Sequence, residues 1–222
     1  MLYNNHGDNE KALEYYHKAK DIHESVYGKN SLKTAQTYHN IAGTYMDIKE
    51  FEKAFDYATK ALHISVDHYG YDHPKVATAL SRIGSIYRKQ AEYDTALLYA
   101  KQALEIRIKT LPPNHSAIGE SYNNIGAIYK GMKNYDKAIE YYKKSLDIAE
   151  AVYDDKNSNL ITLYRNIGFV YEKMEDYDNA LMYYDKVLMI YDKIYGAEDA
   201  RTQKIKSKIS EVEQKLKESK KK

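Results

Sequence analysis

The sequence predicts an all-α solenoid built from stacked antiparallel pairs of helices. The strongest observation is an internal repeat, in which an aliphatic residue, then a small one, then a tyrosine recur every 42 residues. The aliphatic residues are Ile41, Ile83, Ile125 and Ile167, and the tyrosines are Tyr45, Tyr87, Tyr129 and Tyr171. A fixed period between twenty and fifty residues is typical of repeat arrays. The chain has only three prolines and ten glycines, which favours helices with short connections.

Composition excludes several classes of protein. Of the 222 residues, 43% are hydrophobic and 30% are charged, which is enough apolar content for a packed core. The formal net charge of +2 gives no overall field for binding nucleic acid or membranes. Cysteine is absent, which excludes disulfides, thiolate catalysis and cysteine-based zinc sites. Because we find neither an apolar run of membrane-spanning length nor a signal-peptide pattern, we expect a soluble cytoplasmic protein.

The repeat predicts one solenoid over residues 1–222. Its parts are a partial first repeat (1–30), four full repeats (31–72, 73–114, 115–156 and 157–198), and a capping helix with a basic tail (199–222). The chain begins in mid-repeat, because Tyr3 stands 42 residues before Tyr45. Either it is a fragment of a longer array, which we favour, or the first unit keeps only a second helix, from about Asn9 to Val26.

Each complete unit is predicted to hold a first helix, a four-residue turn and a second helix. The first helices run roughly over 34–48, 75–90, 117–132 and 159–174, and the turns cover 47–50, 89–92, 131–134 and 173–176. Such short turns force antiparallel neighbours. Glycine in a helix interior costs about 1 kcal/mol relative to alanine. The repeated glycines Gly84, Gly126 and Gly168 therefore indicate a close helix approach, with the repeated alanine of the second helix (Ala96, for example) as the opposite wall.

Helix ends also have local signals. Asn134 and Asp176 are predicted N-caps, and Gly70 and Gly196 are placed to end second helices in a left-handed conformation. In the segment 72–74 (Asp-His-Pro), proline suits the first turn of the next helix. The boundary at 154–159 has neither glycine nor proline. The last helix, about 200–218, carries charge where earlier units carry tyrosine, as a capping helix requires.

The segment Tyr135-Asp136-Lys137-Ala138 continuing to Ser145-Leu146 resembles the tetratricopeptide repeat, whose usual unit has 34 residues. The 42-residue unit here, with Tyr-Gly-x-Asp-His-Pro-x-Val-Ala at 69–77, resembles the repeats of kinesin light chains. This resemblance implies a right-handed superhelix whose concave wall is made of first helices and binds peptides. It also implies that an asparagine before the aliphatic residue, matched by Asn40, Asn124 and Asn166 but not by Arg82, holds the backbone of the bound peptide.

Neighbouring side chains on the same helical face complete the predicted peptide-binding site. Its residues are His39, Asn40, Arg82, Ser85, Lys89, Asn123, Asn124, Lys130, Arg165, Asn166 and Phe169. Cations outnumber anions on this face, which predicts a ligand with acidic residues or a terminal carboxylate and an apolar anchor. The alternative is that these cations are only the solvated side of amphipathic helices. The residues with which chaperone-binding repeats clamp a carboxylate do not form a complete run, so we do not expect chaperone tails as ligands.

The sequence carries no convincing catalytic or metal-binding set. His63 and Asp67 are one helical turn apart, but no third ligand has a forced position. Acidic residues such as Asp94 and Asp136 recur with the repeat, which indicates helix starts and not a catalytic pair. We find no phosphate-binding loop and no nucleophile elbow. We therefore predict a non-enzymatic adaptor that needs no cofactor and no metal, and whose partner is a protein or peptide.

Other roles stay open from the sequence alone. The chain could be a regulatory domain whose superhelix tightens on a signalling peptide. It could be a structural module that self-associates weakly through exposed terminal helices. RNA binding by the tyrosine-rich wall and an enzymatic function are further alternatives, but the regular step of the tyrosines places most of them in helix joints.

Overall fold

The computed structural model describes residues 6–154 and 157–221. Within these ranges the chain consists of helices and contains no strand, which confirms the predicted all-α class. The helices are α1 (His6–Tyr27), α2 (Leu32–Asp47), α3 (Phe51–Tyr69), α4 (Pro74–Lys89), α5 (Tyr93–Thr110), α6 (Ser116–Gly131), α7 (Tyr135–Val152), α8 (Ser158–Lys173), α9 (Tyr177–Tyr195) and α10 (Ala200–Ser219). Tyr3 and the centre of the 154–159 boundary, two places that the sequence singled out, lie outside the described residues.

The helices form two compact units, residues 1–112 and 113–222. In the first unit, α2 pairs with α3 and α4 with α5, while α1 packs on α2 and α3 on α4. In the second unit, α6 pairs with α7 and α8 with α9, α7 packs on α8, and α10 packs on α9. Each unit is thus a row of antiparallel hairpins, in which even-numbered helices are first helices and odd-numbered ones second helices. The grouping of all repeats into one solenoid stays a prediction.

The turns inside the hairpins are one residue shorter than predicted. They cover 48–50, 90–92, 132–134 and 174–176. Each first helix includes the residue that was predicted to begin the turn. The middle residue of each turn has a positive φ of 59° to 65°, yet none is glycine; these residues are Lys49, Ala91, Lys133 and Glu175. The amide after each of them bonds back to the carbonyl of the repeated tyrosine, as from Glu50 N to Tyr45 O at 2.9 Å.

The predicted caps are present. Asn134 Oδ1 accepts from the amide of Lys137 at 3.2 Å, and Asp176 caps α9 in the same way. His73 Nδ1 accepts a bond from the amide next after Pro74, which occupies the first turn of α4. Gly70 and Gly196 do have a positive φ, 74° and 83°, but their ψ values of 172° and 168° are extended. The chain therefore leaves these helices in an extended direction instead of the predicted left-handed helical conformation.

The repeated tyrosines close the joint inside every hairpin. Each one stacks on the tyrosine that the second helix supplies twelve residues later, in the pairs Tyr45–Tyr57, Tyr87–Tyr99, Tyr129–Tyr141 and Tyr171–Tyr183. The ring centroids are 5.5 to 5.8 Å apart and the planes are inclined by 7° to 29°. Offset stacking at this distance contributes about 0.5–1.5 kcal/mol beyond area burial. The predicted role of these tyrosines is confirmed.

The repeated glycines allow close helix approach, but the opposite wall is not always alanine. A Cβ added at Gly84 would lie 3.2 Å from the carbonyl oxygen of Ala96, as predicted. At Gly126 it would lie 2.7 Å from the ring of Tyr142, and at Gly168 it would meet Tyr184 at 2.9 Å. The prediction that an alanine packs closest against the repeated glycine was thus wrong for the second unit, where a tyrosine ring does so. The ring reaches the glycine there because tyrosine stands where Ala100 stands in the first unit.

Candidate functional site

Consecutive first helices contact each other through one repeated register. His39 of α2 bonds to Arg82 of α4, and Asn123 of α6 bonds to Asn166 of α8; both pairs are 43 residues apart. Glu172 of α8 bonds to α10 residues 36 and 43 positions further on. Within each unit these bonds join equivalent positions of neighbouring first helices on one side. We call this side the first-helix face; it carries His39 and Arg82 in the first unit, and Asn123 and Asn166 in the second. The bonds from Glu172 also place α10 where a fifth first helix belongs.

In the first unit, His39 and Arg82 form a tight pair across α2 and α4. Arg82 Nη2 donates to His39 Nε2 at 2.9 Å, and the guanidinium packs flat over the bare Cα of Gly43. Burial, with the positive charge of Arg82, lowers the pKa of His39 to about 4. The imidazole is therefore neutral at pH 7 and can accept the bond. The pair works here as a contact between helices, and half-buried Arg82 is only partly accessible to a ligand.

Of the other predicted residues of the first unit, Asn40 and Ser85 have hydrogen-bond partners within their own helices. Asn40 Oδ1 accepts from Gln36 Nε2 at 3.3 Å, one helical turn away. Ser85 Oγ donates to the carbonyl of Ser81 at 2.9 Å, within its own helix. Lys89 is exposed at the last position of α4. These three side chains lie on α2 and α4 as expected, but no contact brings them together.

In the second unit, four predicted residues line one groove of about 790 Å³, which we call the cationic groove. These four are Lys130, Arg165, Asn166 and Phe169. The rest of the lining comes from α8, α9 and α10, and consists of Thr162, Tyr184, Tyr191, Arg201, Lys204, Ile205, Ser207, Lys208 and Glu211. Residues of the predicted site thus supply the α6 side and part of the α8 side of this groove, whereas none of its α9 and α10 residues was predicted from the sequence.

Amide and ammonium groups meet at the α6 side of the cationic groove. Lys130 Nζ donates to Asn166 Oδ1 at 3.3 Å, and Asn166 Nδ2 donates to Asn123 Oδ1 at 3.5 Å. The same ammonium lies 5.5 Å from the ring of Phe169, which is 39% exposed. The sixth predicted residue of this unit, Asn124, is half-buried on α6. An amide, a cation and an exposed aromatic ring thus lie side by side in this groove.

The cationic groove has a net positive lining. Its five cationic residues face a single carboxylate, that of Glu211. Arg201 is held by Asp199, and Lys208 is shared between Glu172 and Glu211. Across the described residues, Arg165 and Lys204 have no carboxylate within ion-pair distance. The predicted excess of positive charge is therefore present at this groove.

Glu172 fixes one wall of the cationic groove. Its side chain, only 7% exposed, accepts bonds from Lys208 at 2.9 Å, from Lys215 at 2.7 Å and from the hydroxyl of Tyr184 at 3.1 Å. Burial raises the pKa of Glu172, but the bonds from Lys215, Lys208 and Tyr184 outweigh it, and the net pKa lies below its ordinary value. Adding one repeat to Asn166 and Lys173 gives Lys208 and Lys215, so the repeat length could have revealed this contact.

The described residues contain neither a metal-binding cluster nor a membrane-spanning helix. No group of three or more histidine, aspartate or glutamate side chains there is arranged to hold a metal ion. Among the same residues, no helix combines the length and apolar character needed to cross a lipid bilayer.

Comparison with known proteins identifies the repeat. The sequence model described as tetratricopeptide repeat matches residues 1–65, 42–109 and 117–193. No curated protein sequence matches the chain. Among solved structures, BtubC (BKLC) from P. vanneervenii is 17% identical with a TM-score of 0.79, over 94% of this chain and 84% of its own.

Two further solved structures share the fold. The nearly identical TPR-like repeats assigned to a kinesin light chain of Podosopora anserina are 15% identical, with a TM-score of 0.64 over 85% of this chain and 90% of theirs. Aspartyl phosphate phosphatase F from Bacillus subtilis is 20% identical, with a TM-score of 0.71 over 88% of this chain and 49% of its own. With the repeated hairpins and the sequence match over most of its length, the chain belongs to the tetratricopeptide repeat family.

Proposed function

We propose that this chain is a non-enzymatic protein-interaction module whose second unit binds an extended, partly acidic peptide in the cationic groove. The observation that carries the proposal is the lining of this groove, where five cationic residues share the surface with the exposed ring of Phe169. The repeat family and the kinesin light chain neighbour support a role in protein interaction. An enzymatic role finds no support in the lining, which holds one carboxylate and no histidine.

Two cations are placed to receive the acidic side chains of the ligand. Arg165 is exposed on α8 and Lys204 on α10, and neither is neutralised by a neighbouring carboxylate of the described chain. A guanidinium can bind a carboxylate through two parallel N–H groups, and such charge-assisted bonds are about twice as strong as neutral ones. Lys208 contributes less, because Glu172 and Glu211 already hold it.

The ligand backbone would pair with Asn166. An amide side chain has both donors and an acceptor, so it can bind a peptide group whatever side chain that residue carries. The 3.5 Å bond from Asn166 to Asn123 is long and can be exchanged for a shorter bond to the ligand. Phe169, with Lys130 beside its ring, offers the apolar contact. His39, Asn40, Arg82, Ser85, Lys89 and Asn124 remain a proposed extension of the first-helix face.

Mutation of the two cations tests the proposal. The probe is the peptide with the strongest signal in an array of nonapeptides that contain Asp, Glu and one aromatic residue, labelled for fluorescence anisotropy. We expect Arg165→Ala with Lys204→Ala to weaken binding 10- to 100-fold, which corresponds to about 1.4–2.8 kcal/mol. Higher ionic strength should weaken wild-type binding as well, because the pairs are partly exposed.

The control removes the same net charge elsewhere. Lys144 on α7 and Lys217 on α10 are both exposed and lie outside the lining of the cationic groove. Lys144→Ala with Lys217→Ala should change affinity less than threefold. Equal losses in the two double variants would mean that net charge attracts the peptide, and the proposed site would then be wrong. Equal affinity for a peptide with Asn and Gln in place of Asp and Glu would contradict it too.

One observation favours self-association as a second candidate function. On α1, Ile22 is 58% exposed and Tyr15 65%, whereas Ile64, the equivalent of Ile22 on α3, is 4% exposed. This apolar side of α1 corresponds to the side that α3 packs against its own first helix. Sedimentation equilibrium over a hundredfold range of concentration measures the association, and a constant monomer mass would exclude this candidate.

A further inference from the structure

One first-helix position departs from the repeat in the first unit. Tyrosine occupies it in three repeats, as Tyr38, Tyr122 and Tyr164, but the second full hairpin has Leu80. The hydroxyl of Tyr38 donates to Glu24 at 2.8 Å, and that of Tyr164 donates to Glu150 at 2.7 Å. Each glutamate lies on the preceding second helix, 14 residues before its tyrosine. The residue 14 before Leu80 is Val66, so both members of this pair are missing at the second full hairpin, although the first hairpin of the same unit has them.

The buried ring fills the space between two successive second helices. Tyr38 is 6% exposed, packs against Ala61 and Ile64 of α3, and reaches Glu24 on α1. Tyr164 is 8% exposed in the equivalent place of the second unit, with the ammonium of Lys186 lying 4.9 Å from its ring centroid. A leucine is too short to span this distance, and a valine has no acceptor for a hydroxyl group.

A groove of about 750 Å³, with both apolar and polar lining residues, lies where the ring is missing. We call it the second-helix groove, because α3 and α5 form its sides and α4 its floor. The apolar lining is Leu62, Val66, Val76, Leu80 and Ile106. Two residues along an α-helix turn by about 200°, so Leu80 and Arg82 point to nearly opposite sides of α4. The second-helix groove is therefore a surface separate from the first-helix face.

The rim of the second-helix groove is acidic. Asp67, Asp72 and Glu105 line it together with one lysine, Lys109, which is ion-paired with Asp72. Asp67 and Glu105 are exposed on α3 and α5, on the two opposite sides. Tyr71, also in the lining, is 77% exposed. This groove therefore combines an apolar floor with a negative rim, opposite in charge to the cationic groove.

We propose that the second-helix groove binds a partner-protein segment that presents a tyrosine or phenylalanine side chain flanked by lysine or arginine. The ring would occupy the volume that Tyr38 and Tyr164 fill in the other repeats, against the side chains of Val66 and Leu80. The flanking cations would pair with Asp67 and Glu105 across the groove. This inference is independent of the proposed function, since it concerns the other unit of the chain and a ligand of opposite charge.

The probe peptide acetyl-Lys-Tyr-Lys-amide tests both parts of the ligand. Methyl-labelled protein is titrated with it, and the NMR signals of Leu62, Val66 and Leu80 are followed. We expect saturable shifts of these methyl groups. Acetyl-Lys-Ala-Lys-amide, without the ring, and acetyl-Glu-Tyr-Glu-amide, with reversed charge, should each bind at least fivefold more weakly. If the shifts are absent, or if the charge-reversed peptide binds as well, the proposal is wrong.

Restoring the missing pair provides the decisive variant. Leu80→Tyr with Val66→Glu copies the Tyr–Glu pair of two other repeats, so it should fold, which circular dichroism verifies. We expect it to fill the groove and to reduce affinity for the probe more than tenfold. Asp67→Asn with Glu105→Gln changes exposed residues only, and should weaken binding about fivefold. Unchanged affinity in either variant would overturn the assignment.

Discussion

Removing the charge of the buried Glu172 side chain should lower the free energy of unfolding. Glu172→Gln keeps the shape of the side chain but removes its charge, so Lys208 and Lys215 lose a shared anion. A hydrogen bond to a charged group contributes about 1.5–3 kcal/mol net. Both lysines are partly exposed, at 30% and 38%, and both keep Glu211 as a partner. We therefore expect the free energy of unfolding to fall by about 1–3 kcal/mol.

Urea unfolding followed by circular dichroism measures this loss. With a slope of about 2 kcal/mol per molar urea, a loss of 2 kcal/mol lowers the midpoint by about 1 M. The pH dependence gives a second test. Because the pKa of folded Glu172 lies below its ordinary value of 4.5, its contribution is complete above about pH 4.5 and is lost as the pH falls through the folded pKa. The difference between wild type and Glu172→Gln should thus shrink below pH 4.5.

Glu211→Gln is the matched control for this prediction. Glu211 bonds to the same two lysines, at 3.1 and 2.6 Å, but its side chain is 50% exposed. Exposed ion pairs contribute little, so this variant should lose no more than about 0.5–1 kcal/mol. Equal losses from Glu172→Gln and Glu211→Gln would refute the reasoning that burial makes the Glu172 contact the stronger one.

Two further substitutions test the packing and the pH response. Gly126→Ala places a methyl group 2.7 Å from the ring of Tyr142, and should reduce the free energy of unfolding by about 1–2 kcal/mol, measured as a lower urea midpoint. Gly119→Ala meets only ordinary van der Waals contacts, so it should raise the urea midpoint. The low pKa of His39, about 4, means that its neutral form stabilises the fold above pH 6.5 and that this stability is lost as the pH falls towards 4. In wild type the free energy of unfolding should therefore fall between pH 7 and pH 4, and His39→Gln should make this fall smaller by roughly 2 kcal/mol. Urea unfolding at several pH values in this range measures the difference.

Much of the fold follows from the period of the sequence. A step of 42 residues placed the helices, the tyrosine stacks and the last helix correctly, because repeated positions have repeated environments. The turn residues could not be predicted in the same way. Lys49 and Glu175 adopt a positive φ without the glycine that normally signals it, since the surrounding helices impose the geometry.

The site was only partly accessible from the sequence. Helical spacing grouped Asn166 with Phe169, which lie one turn apart on α8, and the repeat placed Lys130 of α6 on the same side. It did not show that His39 and Arg82 bond to each other, since that depends on which side chains meet across two helices. Nor could charge counting show that Glu172 neutralises α10 lysines. The space left by Leu80 became visible only when its neighbours were in place.

The turns with positive φ have a consequence for engineering. Four turn residues, none of them glycine, hold a backbone conformation that costs an L-amino acid about 1–2 kcal/mol, and none of the four lines either groove. Lys49, Ala91, Lys133 and Glu175 are all exposed. Glycine at these four positions is expected to raise the free energy of unfolding, because glycine adopts a positive φ without this cost. The side chains that line the two grooves stay unchanged.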